Sequence, residues 1–290
     1  MTAIIFGING QDGFYLEQLL LSLNIIVHGV GRKDIDISNY EKVAALIKDK
    51  QPEYIFHLAA NSTTRHDALF ENHATISTGT LNILEAVKNF STHSKVFISG
   101  SGLQFKNNNR PIKEADAFEA RDAYSVSRIQ SVYAARYYRS LGIKTYVGYF
   151  FNHDSPRRTE RHMAMKIAAA SKRISAGSKE KIEIGDMSVV KEWTFAGDIV
   201  KGVWLLVNQD DIYEANISSG EGHSIADWVK ACFKIIGKNP DEYLVEKKSF
   251  IPEYKELVSD NSIIASLGFK TNVSFAQLAA MMIGKEPGSD

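Results

Sequence analysis

Three observations predict an α/β chain with a doubly wound, Rossmann-like parallel sheet and a smaller α/β lobe interleaved toward its C-terminal side. An apolar run, Ala3–Phe6, opens the chain. A glycine-rich turn, Gly7-Ile-Asn-Gly10-Gln-Asp-Gly13, follows directly and leads into the helical pattern Phe14–Leu21. Strand and helix patterns then alternate through the first half, which means parallel strands covered on both faces and ligands bound beyond their carboxyl ends.

The turn opens onto a helix N-terminus, where unpaired N–H groups and the helix dipole favour a phosphate. Gly7 suits the tight turn, Gly10 lets a pyrophosphate approach the backbone, and Gly13 lets helix and strand pack closely. The spacing is GxxGxxG rather than the commoner GxGxxG, so the position behind a first strand carries much of the argument. Asn9, Gln11 and Asp12 lie in the same turn and are cofactor candidates with the glycines.

Each later element has its own signal. Ile25–Val30 reads as a strand, and Ser38-Asn-Tyr-Glu41 as a capping box before Val43, Leu46 and Ile47 at helical spacing. Pro52 ends that helix, and Tyr54–Leu58 is the next strand. Ile76–Phe90 and Tyr124–Leu141 are helical; Lys95–Ser99 and Thr145–Phe151 are strands. Beyond Asn152 a basic segment (Arg157, Arg158, Arg161) precedes helix Met163–Ala176 and strand Lys181–Ile184. Helix Asp198–Val207 and strand Tyr213–Ile217 return to the first pattern. This assigns residues 1–152 plus about 191–218 to a dinucleotide-binding domain, and 153–190 with 219–290 to a substrate lobe. The tail Gly284–Asp290 reads as frayed.

Composition narrows the class. At 290 residues and 44% hydrophobic, the chain can bury a large core. With 34 basic and 34 acidic residues, nothing favours nucleic acid or an anionic membrane surface. A single cysteine, Cys232, rules out an internal disulfide and a cysteine-built metal site, fits a reducing cytoplasm and reads as core. The glycine turn at residue 7 leaves no room for a signal peptide, and no apolar run approaches the roughly 20 residues of a membrane span. No metal is expected.

After the second strand come Gly31, Arg32 and Lys33, with no acidic residue at the strand end. A carboxylate there would hold a ribose diol, whereas cations accommodate a 2′-phosphate, so NADP is favoured and NAD possible. Asp36 and Ile37 are placed to flank the adenine, and Leu58, Ala59 and Ala60, with Ser62, lie beside the pyrophosphate turn.

These residues resemble the extended short-chain dehydrogenases, NAD(P)-dependent sugar-nucleotide epimerases and dehydratases, and within them the GDP-mannose 4,6-dehydratase group. The resemblance runs over almost the whole chain. It is carried by the glycine turn, His57-Leu-Ala-Ala-Asn-Ser62, Gly79–Ala86, Lys191-Glu-Trp193 with Asp198, Gly220–Ser224 and, most specifically, Phe151-Asn-His-Asp-Ser-Pro-Arg-Arg158. It implies a Tyr-x-x-x-Lys pair on a helix with a Ser or Thr upstream. Here the pair is Tyr124 and Arg128. A free phenol titrates near 10, so it needs a neighbouring cation; one at about 4 Å supplies roughly 4 kcal/mol at an effective dielectric of 20. Arg128 carries that charge but is bulkier than lysine and keeps its proton; Tyr124 and Arg128 are cofactor-binding candidates too.

Upstream, the resemblance implies Ser-Thr-Ser-Glu where this chain has Ser99-Gly100-Ser101-Gly102. The missing glutamate is the base that removes the C5 proton during elimination, so oxidation or reduction at C4 is the simpler expectation. Ser99 or Ser101 would supply a hydrogen bond to the sugar oxygen. Asn152, Arg157, Arg158, Lys166 and Lys191 are candidates for the substrate diphosphate and base, with GDP implied by the resemblance alone. The resemblance also implies a homodimer built on Ile76–Phe90 and Tyr124–Leu141. The resembled group adds a longer loop after the second strand to build a tetramer, and that loop is nearly absent after Arg32-Lys33, so a tetramer of that kind is not expected. Two alternatives stand beside the C4 oxidoreductase: a GDP-mannose 4,6-dehydratase-type lyase, and an NADP-binding protein of the same fold with impaired chemistry.

Overall fold

The chain begins with β1 (Thr2–Phe6), α1 (Gln11–Ser22), β2 (Ile26–Val30), α2 (Tyr40–Lys50) and β3 (Tyr54–His57). Then come α3 (Leu69–Asn72), α4 (Gly79–Phe90), β4 (Lys95–Ser101), α5 (Ala123–Ser140) and β5 (Thr145–Phe150). The second half contains β6 (His153–Asp154), α6 (Met163–Ser175), β7 (Ile182–Ile184), β8 (Val190–Glu192), β9 (Thr194–Phe195), α7 (Ala196–Val207) and β10 (Glu214–Ile217). It ends with β11 (Gly222–Ser224), α8 (Ile225–Ile236), β12 (Leu244–Glu246), β13 (Glu256–Leu257), α9 (Ser262–Ser266) and α10 (Phe275–Ile283). The structure, a computed structural model, describes residues 1–247 and 250–285.

Six parallel strands form the main sheet in the order β10-β5-β4-β3-β1-β2. The order reverses beside β1, so the crevice at the carboxyl ends of β1, β3 and β4 is where a ligand fits. The two-residue side-chain period of a strand divides the core. Ile4 and Phe6 pack with Val43, Leu84 and Val132 of α2, α4 and α5, whereas Ala3 and Ile5 pack with Leu16, Leu20 and Val203 of α1 and α7. Both faces are thus covered, as the continuous apolar strands require.

A second layer carries the smaller lobe. Ile167 and Ala168 of α6, Trp228 and Cys232 of α8, and Leu278 of α10 share one apolar core. Trp193 stacks on Trp228 with centroids 4.6 Å apart. Cys232 is buried there as expected, and burial pushes its thiol up.

Three local expectations are corrected. Asn39, not Ser38, caps α2, accepting from the Lys42 amide at 3.0 Å. Ser38 is taken by Asp36 instead, its hydroxyl donating at 2.8 Å. The helix expected from Ile76 extends back through a π-helical turn, His73–Thr78. Of the supposedly frayed tail, Gly284 is a left-handed C-cap (φ 84°) and Lys285 donates to the Ala280 and Ile235 carbonyls, so both are tied down. Residues 286–290 lie outside the described residues.

Glu214 at the start of β10 joins three elements. It accepts from Arg136 at 2.9 and 2.7 Å, from Arg139 at 3.0 Å and from the Tyr149 hydroxyl at 2.6 Å. Burial opposes the charge, but these donors hold the carboxyl at about 2, against an ordinary 4.5. A depressed folded-state pKa stabilises above the unfolded value and is lost as pH falls through the folded one. Glu214→Gln should therefore cost about 3 kcal/mol at neutral pH, and the gap to wild type should close between pH 4.5 and about 2. Urea unfolding of both proteins across that range checks it.

Candidate active site

The turn after β1 is built as its glycines demand. Gly7 has φ 97°, and a Cβ there would sit 2.6 Å from the Ala59 amide nitrogen. A Cβ on Gly13 would collide with the Gly7 carbonyl, so this glycine is what lets α1 settle on β1. Gly10 is the N-cap and offers no side-chain cap, which leaves first-turn N–H groups for an anion. This cradle fits a pyrophosphate.

Two chambers meet at the turn. One, of about 510 Å3, is lined by Gly7, Asn9, Gly10, Arg32, Asp36, Ile37 and Ala59. Its size suits a nucleoside portion. The other, of about 230 Å3, is lined by Asp12, Ser62, Ser99, Ser101, Tyr124 and Arg128, and on its far side by Asn152, Arg158 and Lys191. Leu58 and Ala60 belong to both, so the chambers form one cleft.

Five expected residues stand elsewhere. Lys33 is exposed and outside the lining. Gln11 is buried, its amide donating to the His153 carbonyl at 3.2 Å and its oxygen accepting from Ser155 at 2.9 Å. It ties α1 to the segment after β5, with both ends of its side chain engaged there. Gly13 serves packing. Arg157 is exposed and lies over the Phe14 ring, 3.9 Å from its centroid. Lys166 donates outward to the Glu183 carbonyl at 2.6 Å. Both cations are drawn off by nearer partners. Asp12 and Ser62 are displaced less: they line the second chamber rather than the first.

Asp122 caps α5, accepting from the Tyr124 and Ser125 amides at 2.8 Å, and thereby fixes Tyr124 in the first turn facing the chamber. One turn on, Arg128 is buried, and its guanidinium lies 5.0 Å from the Tyr124 ring centroid. The same group donates to the Ser99 carbonyl and, at 2.8 Å, to the Ser99 hydroxyl. Ser99 in turn donates to the His57 carbonyl at 2.9 Å, so its proton is spent and it positions Arg128 rather than reaching a substrate. His57, buried beneath, is held at about 3 by desolvation and then by the Arg128 charge, and stays neutral.

Ser101 is different. Its oxygen accepts from the Leu103 amide at 3.2 Å while its own amide donates to Gln104 at 2.9 Å. The Ser101 hydroxyl proton is left for the chamber it lines. Gly100 and Gly102 are filled from behind. A Cβ on Gly100 would meet the Tyr149 ring at 2.6 Å, and one on Gly102 the Phe151 ring at 2.8 Å. Aromatic rings thus crowd both backbone positions. Glu114 accepts from the Asn216 amide at 2.7 Å and does not line the chamber.

The carboxylates present, Asp12 and Asp154, are engaged. Asp12 lies 2.9 Å from His153; against the opposing effect of burial, the pair lowers the acid and raises the imidazole. Asp154 lies 3.5 Å from Arg158. Arg158 and Lys191 give the far wall its positive charge. Burial pulls Lys191 down, opposed by Asp154, and its ammonium sits 4.4 Å from the Trp193 centroid. His162, unassigned from sequence, joins this wall and is lowered by burial. Glu192, beside Lys191, is structural: it accepts from Ser259, Ser219 and Gly220 amides at 2.8, 2.8 and 3.1 Å. Among the described residues no His, Cys, Asp or Glu cluster is arranged to hold a metal, and no helix is long and apolar enough to cross a membrane.

The backbone is similar to "RMD from Pseudomonas aeruginosa complexed with NADPH" (TM-score 0.86, 18% identity, 97% of each chain). It is also similar to the UDP-glucose 4-epimerase of Thermus thermophilus complexed with NAD (TM-score 0.83, 18% identity, all of each chain). In sequence, the chain is 28% identical to GDP-mannose 4,6 dehydratase 2 of Arabidopsis thaliana over 98% of its own length and 86% of the relative's. The human GDP-mannose 4,6 dehydratase is 28% identical over 82% and 73%. A family model described as GDP-mannose 4,6 dehydratase matches residues 33–282. With an α/β sheet, a glycine-turn cradle and a tyrosine–cation pair in one cleft, this chain belongs to the GDP-mannose 4,6-dehydratase family.

Proposed function

We propose that the protein is an NAD(P)-dependent oxidoreductase acting at C4 of a nucleotide-activated hexose, reducing a GDP-linked 4-keto-6-deoxy sugar. One observation carries this reading: Tyr124 and Ser101 line a chamber continuous with the dinucleotide cradle, while rings pack against Gly100 and Gly102. Carbonyl reduction needs a proton donor and a polarising hydrogen bond; elimination needs a further base, and the acids that line the chamber are paired.

Residues 1–152 with about 191–218 hold the dinucleotide, through Gly7, Asn9, Gly10, Arg32, Asp36, Ile37 and the Leu58–Ala60 strand end. When bound, that cofactor supplies the hydride. Tyr124 gives its proton to the C4 oxygen, Ser101 donates to the same oxygen, and Arg128 opposes the negative charge left on the phenol. Asn152, Arg158 and Lys191, with His162 beside them, face the nucleotide diphosphate from the second lobe. The names of the relatives support GDP as the nucleotide.

The test is direct. Purified protein with NADPH or NADH and GDP-4-keto-6-deoxymannose should oxidise the cofactor and yield a GDP-6-deoxyhexose. No oxidation with any GDP-4-keto-6-deoxyhexose overturns the reading. Formation of a 4-keto-6-deoxy product from GDP-mannose without added reductant would replace it with the lyase.

The protein works in a reducing cytoplasm as a homodimer on this reading. Phe70, Leu81, Tyr133 and Tyr137, from α3, α4 and α5, are 85%, 48%, 58% and 60% exposed, an apolar face suited to a second copy. Light scattering should give a dimer mass for wild type and a monomer mass for the Phe70→Glu, Tyr137→Glu double variant.

A further inference from the structure

The nucleoside chamber contains a carboxylate that the sequence does not announce. Glu71, from α3, lines it opposite the end of β2. Its Oε1 lies 3.1 Å from Arg32 Nη2, and its Oε2 accepts from Asn61 at 2.9 Å. The other carboxylate on the lining, Asp36, is occupied by the Ser38 amide and hydroxyl at 3.0 and 2.8 Å, which hold it below the usual carboxylate range. Asp34, just outside, accepts from the Gly31 amide at 2.8 Å.

These positions set two ribose chemistries against each other. A 2′-phosphate brings close to two negative charges. It would gain Arg32 but meet Glu71 and Asp36. A 2′,3′-diol brings two donors and needs an acceptor, which a carboxylate supplies. Arg32 and Glu71 are 75% and 48% exposed, so their pair is weak and Arg32 can turn to another partner at little cost. Asn61 holds the carboxylate in place whichever way Arg32 points.

We propose that Glu71 is the selectivity element for the adenosine ribose. It accepts from the diol of NAD(H) and opposes the 2′-phosphate of NADP(H), so it offsets the preference for NADP(H) that the arginine at the end of β2 gives. Arg32 is its counter-ion in the free protein and the phosphate ligand when NADP(H) binds. The proposal rests on the reading that this cleft binds a pyridine dinucleotide.

Dissociation constants for NADH and NADPH, measured by the change in nicotinamide fluorescence, test it without recourse to turnover. In Glu71→Gln the affinity ratio should move at least tenfold toward NADPH. In Arg32→Ala, NADPH should weaken about tenfold while NADH stays within about twofold, since a surface pair is being removed. Both side chains are exposed enough that the fold is not at stake. If both cofactors bind wild type and the ratio stays within twofold in Glu71→Gln and Glu71→Ala, the assignment of Glu71 is overturned. If neither cofactor binds wild type at all, the dinucleotide reading itself falls.

Discussion

Tyr124→Phe should lower kcat for ketone reduction about a thousandfold and leave cofactor affinity unchanged. The phenol hydroxyl is the group placed to move the proton, and a positioned acid contributes roughly 10²- to 10⁴-fold. Asp122 caps the helix through backbone amides and the ring stacks with Arg128, and neither contact uses the hydroxyl oxygen. The variant should therefore fold as wild type does. Steady-state rates and fluorescence titration with NADH separate the two effects. A variant that turned over at the wild-type rate would remove Tyr124 from the chemistry.

Arg128→Met should be damaging in two independent ways. Stability should fall by about 2–3 kcal/mol, because the buried Ser99 carbonyl and hydroxyl both lose a charged donor. Turnover should fall about a hundredfold, because no charge then opposes the phenolate as it forms. Arg128→Lys separates the two: it restores a cation near the phenol but replaces a fork with a single ammonium. It should recover most of kcat and less of the stability, read by urea unfolding beside kinetics. Equal recovery of both would mean that Arg128 acts on the reaction only through the fold.

Much of this architecture is local, and local patterns are legible. The two-residue period of β1 sorts Ile4 and Phe6 from Ala3 and Ile5 without any knowledge of what lies on either side. Gly7 and Gly13 are demanded by the chain around them, and Tyr124 and Arg128 share a helix face because they are four residues apart. Hydroxyls and cations are another matter. Ser99 and Ser101 read alike in sequence, yet one proton is spent on His57 and the other is not. Arg157 and Lys166 look like phosphate ligands until Phe14 and the Glu183 carbonyl take them.

The parallel sheet, the phosphate turn and the tyrosine–cation pair could be read from the amino-acid order, since strand period, glycine conformation and helical spacing act over a few residues. Which polar groups remain available to a ligand was settled by contacts between distant parts of the chain. Gln11 meets Ser155 144 residues away, Arg136 meets Glu214 across 78, and Glu71 reaches Arg32 from another element. A buried polar group must find a partner wherever the fold supplies one, and that partner's position in the chain carries no signal of the meeting.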